Sequence, residues 1–249
     1  MPIWIQAGFW GFVGGSALLL GSAIGYYVKI SQRFIASIMA FGAGVLISAL
    51  SFELMDEAYK RGGLLSAAIG FLSGAAVYTF ATMALNSKGA KHRKRSEDQQ
   101  PSKEDESSSG TAIALGALLD GIPESIVIGI SMLQGGVVSW VTVTAVFLSN
   151  VPEGLSSAAG MKKAGRSKTY IFGVWGGIAL ASGLSALLGY TVFSQFSKEI
   201  IAFTTATAAG AILAMISDTM IPEAFEYTHS LAGLITVAGF LTAFMLSRI

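Results

Sequence analysis

Two proline–glutamate pairs lie inside long apolar stretches: Asp120-Gly121-Ile122-Pro123-Glu124 and Ser149-Asn150-Val151-Pro152-Glu153-Gly154. A carboxylate at membrane depth costs roughly 2.5–3.5 kcal/mol on insertion scales, so Asp120, Glu124 and Glu153 together carry roughly 8–10 kcal/mol unless partners offset it. The usual offsets are a bundle interior, a bound cation or a water-filled path. Residues four apart share a helix face, so Asp120 and Glu124 point one way, as do Ser149 and Glu153. Proline lacks an N–H, which strips the carbonyl four residues back of its helical partner, here Leu119 and Leu148. Two such segments face to face would offer side-chain and backbone oxygens to a cation. The bland alternative is that these acids only cap or kink helices.

The elements that must position these groups are transmembrane helices. The chain of 249 residues is 53% hydrophobic and 12% charged, about half the charge of soluble domains, with mean hydropathy +0.63. A crossing needs about 20 mostly apolar residues. The sequence predicts eight, over 3–28, 34–57, 63–85, 110–132, 136–161, 169–193, 199–224 and 229–247. The first is expected to be a membrane helix and not a cleaved leader, because no basic segment precedes it. Glycines four apart at Gly11–Gly15, Gly21–Gly25 and Gly70–Gly74 suit close helix contacts, although a glycine-rich chain throws up such spacings by chance. The organisation expected is spans over 1–85, a polar loop over 86–109, the acid-bearing spans over 110–161, and further spans over 169–249. The loop mixes basic and acidic residues with serines, a composition that cannot bury enough apolar area to fold.

Twelve Lys and Arg fall on the side of loops 28–33, 86–109 and 162–168, against Lys60, Arg61, Lys198 and Arg248 on the other. Positive loops stay cytoplasmic, so both termini are expected outside the cytoplasm. The compact length points to a bacterial inner membrane. A net charge of +1 gives no electrostatic reason for a nucleic-acid partner; lipid and divalent ions are the partners expected, and a homodimer is compatible with the sequence. Cysteine is absent, which removes disulfides and thiolate ligands.

The second and seventh spans match at a fixed offset: Gly44 with Gly210, Ser51 with Ser217, Glu57 with Glu223. The seventh is five crossings after the second, so the two run in opposite directions, the pattern of an inverted repeat with a site near the midplane. On this pattern Glu57 and Glu223 stand at opposite mouths of one path, and Glu53, Asp56 and Asp218 are further candidates to line it.

The paired segments resemble the signature of the ZIP (Zrt/Irt-like) divalent metal transporters, whose fourth span carries a His-Asn-x-Pro-Glu-type motif and whose fifth carries His-x-x-Pro-Glu-Gly. Ile221-Pro222-Glu223-Ala224 is similar to the family's seventh span. The resemblance implies an all-α membrane protein in a 3+2+3 arrangement, with spans 1–3 and 6–8 as inverted halves around spans 4–5. It implies a transporter of zinc, manganese, iron or a similar ion, the ion being substrate and not cofactor, and no enzyme activity. The main site it implies is Asp120, Glu124, Ser149 and Glu153. The second is Gly121, Glu124, Asn150 and Glu153 with a sixth-span position near Ser182.

Both motif histidines are replaced, by Asp120 and Ser149; the second-site asparagine is Gly121, and no acid stands near Ser182. An oxygen-only set suits manganese, magnesium, calcium or ferrous iron better than zinc, without excluding zinc. The sequence leaves two alternatives: a ZIP-like protein that no longer transports and instead senses metal or holds a partner, and an intramembrane enzyme using Asp120 and Glu124 as an acid/base pair, or two aspartates as a hydrolase with Asp218 joining. No nucleophile or protease signature supports the second.

Overall fold

The structure is a computed structural model that describes residues 1–87, 107–133 and 135–248, with side chains from 114 onward in the helix that starts at 107. The polar loop expected over 86–109 lies, apart from its ends, outside the described residues. The described chain is all helix, with no strand. The helices are α1 (Ile3–Tyr27), α2 (Gln32–Ala49), α3 (Met55–Leu85), α4 (Ser107–Ser131), α5 (Trp140–Lys163), α6 (Lys168–Phe193), α7 (Lys198–Met215), α8 (Ile221–Thr228) and α9 (Ala232–Leu246). Four begin on a serine N-cap: Ser31, Ser139, Ser167 and Ser197 each accept from the amide three residues on, satisfying a donor that the first turn otherwise leaves orphaned.

Five stretches among the described residues are long and apolar enough to cross a membrane: Ile3–Tyr27, Gln32–Leu85, Ala114–Ser131, Lys168–Phe193 and Lys198–Leu246. Two are too long for one crossing. The 54 residues of Gln32–Leu85 would span about 80 Å at 1.5 Å per residue, against a hydrocarbon core of about 30 Å. The chain breaks at Gly63, with φ 72° and ψ 179°, a backbone region open essentially to glycine alone. Lys198–Leu246 breaks at His229, with φ 44° and ψ −119°. His229 is the one positive-φ residue other than glycine among those described. His229→Gly is therefore expected to stabilise the fold by about 1 kcal/mol, seen as a rise of about 2–4 °C in the detergent-solubilised unfolding midpoint. Gly63→Ala should shift it the other way.

α5 is not among the five stretches. Its face carrying Ser149, Asn150, Glu153, Ser156 and Ser157 is buried, and α1, α2, α4 and α6 pack around it. A helix wrapped by other helices need not be apolar to sit at membrane depth. The outer helices behave in the opposite way, exposing Phe9, Leu20, Leu72, Phe80, Leu180, Leu184, Leu234 and Val237, large side chains that water would not tolerate in such a belt.

Several features recur 166 residues apart. N-cap Ser31 has its counterpart in Ser197. A π-helical turn occupies Leu50–Leu54 and again Ile216–Met220. The reversal at Gly63 recurs at His229. Helix pairings recur as well: α3 packs on α7 as α9 packs on α2, and α1 on α5 as α6 on α4. The contacts themselves match, at an offset of 166 residues between α2 and α7 and of 165 between α3 and α9. Gly44 abuts the Thr236 carbonyl as Gly210 abuts that of Phe71; Gly74 meets Thr207 as Gly239 meets Phe41. All three glycine pairs singled out by spacing lie at such contacts, Gly11–Gly15 against Ser182, Gly21–Gly25 against Val151 and Leu155, and Gly70–Gly74 against Phe203 and Thr207.

One end of the bundle is basic and aromatic. Lys162 lies 4.7 Å from the Tyr26 ring centre, Lys168 5.2 Å from that of Tyr27, and Arg166 5.4 Å from that of Tyr170, an arrangement suited to a headgroup boundary.

Candidate metal centre

The two acid-bearing segments sit inside α4 and α5, which run on through Pro123 and Pro152. Asp120, Glu124 and Glu153 are 3%, 2% and 4% exposed, and Ser149 and Asn150 are equally buried. Close backbone approach fixes α5: a Cβ on Gly154 would lie 2.2 Å from the Leu18 carbonyl, and one on Gly21 2.1 Å from that of Val151. α1 and α5 therefore meet backbone to backbone at the level of Glu153.

Each polar side chain has work to do. Tyr78 of α3, itself buried, donates to Asp120 Oδ1 at 2.7 Å. Asn150 Nδ2 donates to the Gly14 carbonyl at 3.1 Å, and Ser149 donates to Val146 of its own helix at 3.0 Å, which leaves the asparagine and serine oxygens as the donors they could offer a cation. Glu124 and Glu153 both engage neighbours. Gly121 faces α6: a Cβ there would stand 3.8 Å from Ser182 Oγ. The two positions where this chain departs from the second site of the resemblance are thus neighbours. Among the described residues, no group of three or more His, Cys, Asp and Glu side chains gathers closely enough to hold a metal ion. Any cation bound here would need the neutral oxygens of Ser149 and Asn150 beside the carboxylates, or a closing of α4 on α5.

The other acids divide. Ser156, three residues beyond Glu153, donates a short hydrogen bond to Glu223, which is buried at 4% exposure. At the opposite end of α5, Ser139 donates to Glu53 at 3.1 Å and accepts from Thr142 at 3.0 Å. Glu53 and Glu223 therefore flank the central acids along the polar face of α5. Asp56 does not join them: it is exposed and paired with Lys60 at 2.5 Å, and Glu57 is paired with Arg61 one turn on. Asp218 is exposed. The repeat equates Glu57 with Glu223, but Glu223 is buried against Ser156 whereas Glu57 is half-buried against Arg61. Between Glu124 and the Glu53 end, Leu46, Leu50, Leu54, Val127, Val146 and Ile212 close on a void of about 10 Å³.

Tyr78, Ser139 and Ser156 were not anticipated from sequence. Ser156 was legible, since it shares the face of Glu153. Tyr78 had a weaker signal: a phenol deep in an apolar helix needs a partner for its hydroxyl. Tyr78→Phe is expected to lower unfolding free energy by about 1–3 kcal/mol, and the loss should shrink in an Asp120→Leu background. Equal losses in both backgrounds would separate the hydroxyl from the carboxylate.

No family model matches the chain, and no curated protein matches it.

Proposed function

We propose that this chain is a membrane transporter for divalent cations, built on the ZIP plan. The observation that carries the reading is the burial of Asp120, Glu124 and Glu153 at 4% exposure or less in the interior of an assembly of membrane-length helices. Intramembrane carboxylates persist where they serve an ion or proton path. The plan is eight crossings in a 3+2+3 order, with α1–α3 and α6–α9 as inverted counterparts. The recurring N-cap, π turn, reversal point and glycine contacts support it. The cation sits among Asp120, Glu124, Ser149, Asn150 and Glu153, and Glu223 with Ser156 continues the path towards the basic, cytoplasmic end. The donor set is all oxygen, so manganese or ferrous iron is preferred over zinc more than in a histidine-bearing site.

A second reading is a transport-inactive protein of the same fold that senses metal or holds a partner. The absence of a preformed three-acid group among the described residues favours it. Uptake into proteoliposomes decides between them. The purified chain is tested with zinc, cadmium, manganese, ferrous iron, cobalt, magnesium and calcium against a Glu124→Ala/Glu153→Ala blank. Saturable flux above the blank, greatest for manganese or ferrous iron, is expected; flux equal to the blank for every ion would leave the second reading.

A further inference from the structure

A groove of about 450 Å³ opens at the basic end, between the C-terminal end of α1, the N-terminal end of α2 and the last turns of α5. Its rim carries Lys29, Lys162 and Lys163, and its wall carries Ile35, Leu155 and Ala159. No acid is among the residues that line it. Lys162 is committed in part, donating to the Tyr26 carbonyl at 2.6 Å over the Tyr26 ring. Lys29 and Lys163 are exposed, and none of the ion pairs between described residues takes either up. Lysines above an apolar wall, at the depth where aromatic rings mark the membrane boundary, match a ligand with a phosphate head and a hydrocarbon tail. The volume is that of a small-molecule site and too small for a helix of another chain.

We propose that this groove binds an anionic phospholipid of the leaflet at the basic end. The phosphate lies between Lys29 and Lys163, and the acyl chain runs down against Ile35 and Leu155. This assignment needs only the membrane setting of the chain and is independent of what the central acids bind.

The test is lipid retention by the full-length protein in mild detergent, read by native mass spectrometry after incubation with equal phosphatidylglycerol and phosphatidylcholine. Phosphatidylglycerol is expected to be retained about twenty-five-fold over phosphatidylcholine, given about fivefold for each of the two lysines near an anionic head. Lys29→Gln/Lys163→Gln should bring the ratio near one, and both changes are at exposed positions that leave the fold intact. Ala159→Trp fills the groove and keeps the charges, and it should remove the preference as well. Lys198→Gln/Arg248→Gln, at the opposite end, should leave it unchanged. Equal retention of the two lipids by the unaltered chain, or a preference that survives the lysine change, would overturn the proposal. So would a preference lost with the lysines but kept by a folded Ala159→Trp variant, which would mean a diffuse basic surface. Displacement by millimolar glycerol 3-phosphate would overturn it in favour of a soluble phosphate ligand.

Discussion

Glu153→Ala is expected to reduce cation flux in proteoliposomes at least about a hundredfold, and Glu124→Ala to do the same. Removing one charge from a buried pair leaves the other uncompensated, at a cost of about 3–5 kcal/mol, and here the uncompensated charge would be the cation. Asp218→Asn and Asp56→Asn should stay within about twofold of the unaltered chain, because Asp218 is exposed and Asp56 is held by Lys60 at the surface. Stability should move oppositely to activity. An apolar residue in place of a buried acid relieves desolvation, so the unfolding midpoint of Glu153→Ala should hold or rise while flux is lost. Normal flux in both glutamate variants would reject the centre. Flux lost together with a collapsed midpoint would assign Glu153 to folding.

The second large effect concerns the helix contacts. A Cβ on Gly210 would lie 1.9 Å from the Phe71 carbonyl, and one on Gly44 1.9 Å from the Thr236 carbonyl. Backbone cannot step aside as a side chain can. Gly210→Ala and Gly44→Ala should each destabilise by about 2–3 kcal/mol, and the valine variants should lose most folded yield. The two positions are equivalent contacts in the two halves, so their losses should be alike. Gly173 is the counterexample: nothing lies within 4 Å of its Cβ position. Gly173→Ala should stabilise by about 0.5–1 kcal/mol, the ordinary gain of alanine over glycine in a helix. Size-exclusion profiles and thermal unfolding of the five variants read all of this.

Hydropathy was enough to place most helices, because lipid-facing side chains must be apolar whatever their neighbours do. Helix starts were legible only where capping was considered: the fifth span, expected from 136, begins at Trp140 because Ser139 caps it. The continuity of the chain past Glu57 was not legible, since a π turn and a positive-φ residue are backbone states that composition does not encode. The offset between the second and seventh spans was readable from glycines and acids, and it extends to features that no side chain announces. The central acids could be identified by type, because charge in an apolar stretch is conspicuous. Which of the outlying acids face inward could not, since a helix-end glutamate looks the same whether it meets Ser156, as Glu223 does, or Arg61, as Glu57 does. Tyr78 reaches Asp120 from 42 residues away in sequence, a distance no local pattern spans.

On the proposed path, the narrow void at Glu124 would set the tempo of any ion that crossed there. About 10 Å³ is at the threshold for a single water, and its walls are mostly leucine, valine, isoleucine and alanine, with Glu124 and Thr142 as the polar members, so a hydrated ion has no standing room. Two of those leucines, Leu50 and Leu54, belong to the π turn that joins α2 to α3. On the transporter reading, an ion coming from the Glu53 side would have to wait for that turn to repack and arrive stripped of water. Conductance through such a point would follow the frequency of a backbone rearrangement, counted in events per second, and not the diffusion of ions down an open pore.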